Sequence, residues 1–213
     1  MERALTLLTA VAQDGGTLSQ LARAAELSPS TTSRLLATLA GQELVHRDEH
    51  GRYRAGARLR QLAAATLRTD PVYELAGPHL EALAAETGET ANLAVAADAR
   101  HAVYLRQVAS PRLVQTAGWV GRTIPTRGTA LGAALRGALD GLGYVARTGA
   151  IEPEVISIAA PIYGHDGQIA AALSVLAPAY RNPSSRIEAC GLAVARGAAA
   201  LSRELGAPEA VAA

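Results

Sequence analysis

The segment TLSQLARAAELSPSTTSRLLATLAG, Thr17 to Gly41, carries a helical apolar pattern that breaks at Glu26-Leu27-Ser28-Pro29 and resumes at once. Proline lacks a backbone N–H and crowds the preceding turn, so one continuous helix cannot run through that point. The pattern predicts two short helices joined by a tight corner. Leu18, Leu21, Ala22 and Ala25 fall at i, i+3, i+4 and i+7 and form one apolar stripe. Ser28 has the chemistry of an N-cap, with Pro29 at the first helical position, where its missing N–H costs nothing. Leu35, Leu36 and Leu39 give the second helix its buried face and leave Ser30, Thr31, Ser33 and Arg34 outside. Short hydroxyls and a guanidinium near a helix start can donate to phosphates and base edges without blocking a major groove. On these residues alone, a plain helical hairpin with a Ser/Thr-rich start competes with DNA binding.

The next stretch, ELVHRDEHGRYRAG (Glu43 to Gly56), offers two short strands, Leu44 to Arg47 and Arg52 to Ala55, around an acidic, Gly-containing turn. Arg47, Arg52 and Arg54, with His46, His50 and Tyr53, line a hairpin suited to lie along a phosphate backbone or dip into a minor groove. Charge follows the same division. Residues 1–68 carry nine Arg against six acids, +3, and the rest of the chain eleven Arg against thirteen acids, −2. Helices followed by a basic hairpin are the order of a winged helix-turn-helix.

These residues resemble the IclR family of bacterial transcription regulators. ERALTLLTAV is similar to its first helix, STTSRLL (Ser30 to Leu36) to its recognition helix and HGRYRAG (His50 to Gly56) to its wing. GETANLAV (88–95), TIPTRGTALGAAL (123–135), GYVA (143–146) and SIAAPIYGHDGQIAAALSV (157–175) follow the order of its effector domain. The resemblance implies a DNA-binding domain over 1–56, a linker helix over 57–70 and a GAF-like effector and oligomerisation domain over 71–213.

In the linker, Leu59, Leu62, Ala63 and Leu67 share one side of a helix. Such a stripe either pairs with another chain, as the resemblance implies, or folds back on the wing domain. A homodimer or homotetramer would set two recognition helices on a pseudo-palindromic double-stranded DNA operator. Beyond Pro71 the chain reads as α+β with an antiparallel sheet: a helix ending near Gly88, strands over 91–97 and 102–108, a hairpin of 155–162 with 168–177, and a closing helix to Leu205 capped by Ser184 or Ser185.

Thr129 is placed to cap a helix from Ala130 to Leu139, whose first N–H groups, with Arg127 and Arg122 nearby in sequence, suit an anionic group. A capped helix packed on the sheet with no ligand is the alternative. The family's pocket serine falls on Ser174, with Leu176 where a second serine is usual. Its frequent cysteine before Ala-Ala-Pro falls on Ser157, and an aspartate ten residues earlier on Arg147, a charge reversal that favours a more negative effector. Between Leu139 and Leu142 the family usually carries several tens of residues more. The shortening predicts a pocket that is open or completed by a partner subunit.

Other classes find little support. The five histidines are scattered, and no phosphate loop, nucleophile elbow or metal-ligand spacing occurs, so neither enzyme, metal nor cofactor is expected. Trp119 is an apolar anchor that borders either a pocket or an interface. The start reads as a core helix rather than a leader, and the longest charge-free run, Gly167 to Tyr180, is too short to span a bilayer. One cysteine, Cys190, suits a reducing cytoplasm. The sum is an operator-binding regulator controlled by a small molecule, an organic acid or other anionic metabolite. The alternatives are a non-enzymatic sensor or scaffold whose effector pocket has lapsed, or a small-molecule enzyme.

Overall fold

The computed structural model describes residues 1–116 and 118–209, and the chain divides into two compact units, Met1–Thr69 and Asp70–Ala213. The first contains α1 (Glu2–Gln13), α2 (Leu18–Ala24), α3 (Pro29–Gly41), a hairpin of β1 (Val45–Arg47) and β2 (Tyr53–Ala55), and α4 (Ala57–Arg68). Local chemistry decides each corner. Thr17 and Gln20 form a capping box at the start of α2, the Gln20 side chain accepting from the Thr17 N–H at 2.9 Å. The helix ends where Glu26 enters the left-handed region, φ 53°, and the Leu27 N–H reaches back to the Ala22 carbonyl at 2.9 Å. Ser28 then caps α3, accepting from the Thr31 N–H at 3.2 Å, with Pro29 in the first turn, which is the break expected from the sequence. Leu7, Val11, Leu21, Leu36, Leu39 and Val45 make the common core. Full burial of such side chains contributes about 1.5–3 kcal/mol each.

Both hairpin strands begin one residue later than expected. The Leu44 N–H is taken by the Leu39 carbonyl at 3.0 Å, and the Arg52 N–H by the Asp48 carboxylate at 2.8 Å. Gly56 closes the hairpin against the end of α3, where a Cβ would collide with the Glu43 carbonyl oxygen. Gly16 pairs with β2 through two backbone bonds to Tyr53, 3.1 and 2.7 Å, which anchors the hairpin's base.

The second unit opens with α5 (Pro71–Thr87), capped by the Asp70 carboxylate and closed by Gly88 at φ 67°. An antiparallel sheet follows in the order β5-β4-β3-β8-β7-β6. Its strands are β3 (Thr90–Ala96), β4 (His101–Val108), β5 (Thr123–Pro125), β6 (Val145–Thr148), β7 (Val155–Tyr163) and β8 (Ile169–Pro178). The helices α5 and α7 (Ser184–Glu204) cover one face through Leu80, Leu83, Leu93, Ile158, Leu173, Val194 and Leu201. The short α6 (Ala130–Ala134) packs on the other face with Tyr104, Ile124 and Leu176. Because β7 and β8 lie between these layers, they are apolar almost throughout instead of alternating. The result is an α+β chain with an N-terminal helix-turn-helix and a C-terminal GAF-like sheet.

Two expectations fail here. The helix expected from Ala130 to Leu139 stops at Ala134, because the chain turns through Gly137 at φ 69° and the Ala138 N–H returns to the Ala133 carbonyl at 3.0 Å. Neither Ser184 nor Ser185 caps α7; its N-cap is Pro183, with no side-chain cap bond.

Candidate nucleic-acid interface and ligand cavity

The Ser28 cap fixes how α3 presents its first turns. Ser30, Ser33 and Arg34 are exposed, and among the described residues the Arg34 side chain has neither hydrogen bond nor ion pair. Thr31 is different. It is half-buried, and its hydroxyl accepts from the Ser28 hydroxyl at 2.9 Å, so it completes the cap rather than the outer surface. The Ser28 and Ser30 hydroxyls also lie 3.1 Å apart.

The hairpin register pairs Arg47 with Tyr53 and His46 with Arg54, and directly opposed side chains share a face. Arg47 therefore lies over the Tyr53 ring at 6.0 Å, while its Nε donates to the Gly51 carbonyl at 3.2 Å. Asp48 organises the turn. Its carboxylate accepts from the Arg52 N–H at 2.8 Å, the His50 N–H at 3.1 Å and Arg54 Nε at 3.2 Å. These donors, the Arg52 N–H foremost, hold its carboxyl below the ordinary aspartate range. Arg47 and Arg54 stay exposed, whereas Arg52 is half-buried with an unpartnered Nε.

The apolar stripe of α4 is only partly covered. None of its residues is fully buried: Leu59 and Leu67 are half-buried, Ala63 is exposed and Leu62 is 54% exposed. Arg58 ties the helix to the end of α3 by a 3.0 Å bond to Gln42.

The second unit holds a cavity of about 170 Å³ on the α6 face of its sheet, near the β6–β7 end. Trp119, Ile151, Val155 and Leu176 supply apolar walls, Thr116 and Ser157 hydroxyls, and Arg147 and Glu152 exposed charges at the rim. A dry cavity of about 150 Å³ suffices for one benzene ring. Trp119 sits 6.1 Å from Tyr104, ring to ring, under the Arg122 guanidinium at 5.8 Å. The strand register places Asn92, Ser157 and Ser174 on this same face, with Tyr104 in the α6 layer. All four carry a buried oxygen without a partner, as does Thr116. Burial raises the Tyr104 hydroxyl's pKa well above its ordinary value, so it remains a donor. Native interiors leave few polar groups unpaired, and two of these five, Thr116 and Ser157, line the cavity and are available to hydrogen-bond a ligand.

Of the six residues singled out for ligand contact, Arg147 and Ser157 line the cavity and Ser174 shares its sheet face. The other three lie apart from the walls. The Thr129 hydroxyl is engaged within its own turn, accepting from the Gly132 N–H and donating to the Thr126 carbonyl, both at 3.0 Å. Ala130 is buried in the first turn of α6, and Arg127 is exposed. Arg147 is not a free cation: its Nη1 donates to Asp140 at 3.2 Å and to the Ala146 carbonyl at 2.7 Å. Thr116, Ile151, Glu152 and Val155 carried no site signal in the sequence, since two segments far apart in the chain assemble them. Among the described residues no cluster of three metal-capable side chains occurs, and no helix is long and apolar enough to cross a membrane.

A capped recognition-type helix beside a basic hairpin, followed by a sheet domain with a largely apolar cavity that carries two hydroxyls, defines a winged-helix protein with a sensor-like second unit. The IclR helix-turn-helix domain matches residues 1–49, and the bacterial transcriptional regulator IclR C-terminal domain matches residues 64–141. The chain belongs to the IclR family. It is 32% identical to the transcriptional repressor IclR of Escherichia coli K12 over 144 residues, 66% of this chain and 53% of that protein. The chain spans about half the length of the repressors it matches. Among solved structures, an IclR transcriptional regulator from Alicyclobacillus acidocaldarius aligns with TM-score 0.77 at 23% identity, over 96% of this chain and 98% of that one. An IclR homologue from Microbacterium hydrocarbonoxydans, complexed with 4-hydroxybenzoate, aligns with TM-score 0.73 at 23% identity, over 95% and 97%.

Proposed function

We propose that this chain is a cytoplasmic transcription regulator that binds operator DNA through residues 1–56 and answers to a small molecule held by residues 71–213. Ser30, Ser33 and Arg34 read the major groove; Arg47, Arg54 and Arg52, with Tyr53, hold the backbone beside it; Thr31 supports the cap. Residues 57–70 pair with the same helix of a second copy, in a homodimer or homotetramer, so that two α3 helices meet a pseudo-palindromic site. The observation that carries this reading is the unpartnered Arg34, exposed on a capped helix in the unit that also bears the basic hairpin. The effector class we favour is a small organic acid of one ring, with apolar atoms against Trp119 and Ile151, a hydroxyl or carbonyl toward Ser157, and its acid group drawing Arg147 from Asp140. The Microbacterium homologue's 4-hydroxybenzoate is a ligand of that size and chemistry. Gel shifts on the DNA upstream of the gene, repeated across salt, test the DNA reading. A sequence-dependent shift that weakens steeply as salt rises supports it, and no shift at low salt overturns it. A metabolite panel screened by thermal shift then identifies the effector.

A further inference from the structure

The wall residues Thr116 and Trp119 stand on the segment between β4 and β5; its Trp119 end is held by the Trp119 N–H donating to Gln107 Oε1 at 3.0 Å and the Gly121 N–H donating to the Tyr104 carbonyl at 2.8 Å, whereas its first half has little to hold it. Among its described residues from 109 to 116 no backbone–backbone hydrogen bond occurs, and Leu113 and Val114 are 103% and 58% exposed, so apolar burial does not anchor it either. Side chains do. The Ser110 hydroxyl donates to the Gly88 carbonyl at 2.7 Å, and the Arg181 Nη1 donates to the Val114 carbonyl at 2.8 Å, two residues before Thr116. Arg181 is itself aimed by a buried partner. Glu89 is fully buried at the α5–β3 junction and receives Arg181 Nε at 2.9 Å and Nη2 at 2.6 Å, with Asn182 Nδ2 at 3.4 Å. Two parallel bonds to one carboxylate fix the guanidinium plane, and the remaining nitrogen is left facing Val114. Arg186 braces the arrangement, donating to Asn182 Oδ1 at 3.0 Å and to the Thr87 carbonyl at 2.8 Å.

We propose that Arg181, aligned by Glu89, is the positioning residue of the cavity, clamping residues 110–116 so that Thr116 completes the wall against which Trp119 rests. The clamp ties that wall to the C-terminal end of α5. Its use in effector response rests on the function proposed above, but its test needs neither DNA nor ligand. Trp119 is the only tryptophan in the chain, so its fluorescence reports this wall alone. The experiment measures acrylamide quenching of the full chain well below its melting temperature, with far-UV circular dichroism recorded on each sample. Arg181→Lys keeps a charge for Glu89 but cannot reach both Glu89 and Val114. The double variant Glu89→Gln/Arg181→Gln removes the clamp without leaving a buried charge unpaired. Arg196→Ala, which breaks the exposed Arg196–Glu86 pair, is the control. The Trp119 quenching constant is expected to rise about twofold or more in both clamp variants at unchanged circular dichroism, and to stay at the wild-type value in the control. Wild-type quenching in folded clamp variants overturns the proposal. So does a rise that appears only in proportion to lost helical signal, which marks Arg181 as a general stabiliser. Either outcome leaves the gel-shift test of DNA binding untouched.

Discussion

Replacing Arg34 by alanine separates reading from folding. The side chain is exposed and makes no hydrogen bond or ion pair among the described residues, so the substitution should change stability by no more than about 0.5 kcal/mol. On DNA the loss is larger. A guanidinium that reads a base edge discriminates by about 1–3 kcal/mol, and two copies on a two-fold site double this to about 2–6 kcal/mol, roughly thirtyfold in affinity or more. The exposed Arg47 of the hairpin supplies the contrast. As a phosphate contact, its replacement by alanine should weaken every sequence similarly and flatten the slope of log affinity against log salt by about 0.9 per copy. Fluorescence anisotropy with labelled operator and a scrambled duplex, titrated across salt, measures both. The reasoning is refuted if Arg34→Ala binds operator within about threefold of wild type, or if its loss falls equally on the scrambled duplex.

The unpartnered oxygens should behave as a liability of the empty protein. Ser174→Ala and Tyr104→Phe each remove a buried hydroxyl with no partner and should raise urea stability by about 1 kcal/mol; a loss of that size would mean the hydroxyl is satisfied after all. Gly132→Ala places a Cβ against the Thr126 carbonyl under α6 and should destabilise by about 3 kcal/mol, whereas Gly141→Ala points into open space and should stay within about 0.5 kcal/mol in the same denaturation assay. Asp48 is held below the ordinary aspartate value of 3.8 by the Arg52 N–H and the Arg54 guanidinium, so its contribution is complete above that value and is lost as pH falls through the folded-state value. Melting curves from neutral to acid pH should show that part of the acid loss in wild type and its absence in Asp48→Asn; identical profiles would exclude the role.

What the sequence disclosed was what neighbouring residues decide among themselves. The cap at Ser28-Pro29 and the turn at Asp48–Gly51 are settled within four or five residues, and both formed as read. Central strands were legible because burial on both faces leaves an apolar run with turn residues at its ends. The cavity was less so. Thr116, Trp119, Ile151 and Leu176 meet only through the sheet order, which no local pattern encodes, and Thr129 drew attention because a capping hydroxyl and an anion site share a signature. The Arg147 charge was visible, but its neutralisation by Asp140 depends on a turn seven residues away. Helix α6 was overextended because the apolar pattern continues past Ala134 while Gly137 reverses the chain.

The central claim is that the outer surface of α3 enters a DNA groove. Ser33→Cys in a Cys190→Ala background, carrying an iron chelate that cleaves nearby DNA, tests it at one atom's remove from the exposed face. With upstream DNA bound, cleavage should fall in two clusters separated by one helical turn, about 34–36 Å, or a multiple of it. Tight binding with cleavage no greater than that from the same label at Leu192→Cys, on the exposed side of α7, would contradict the account.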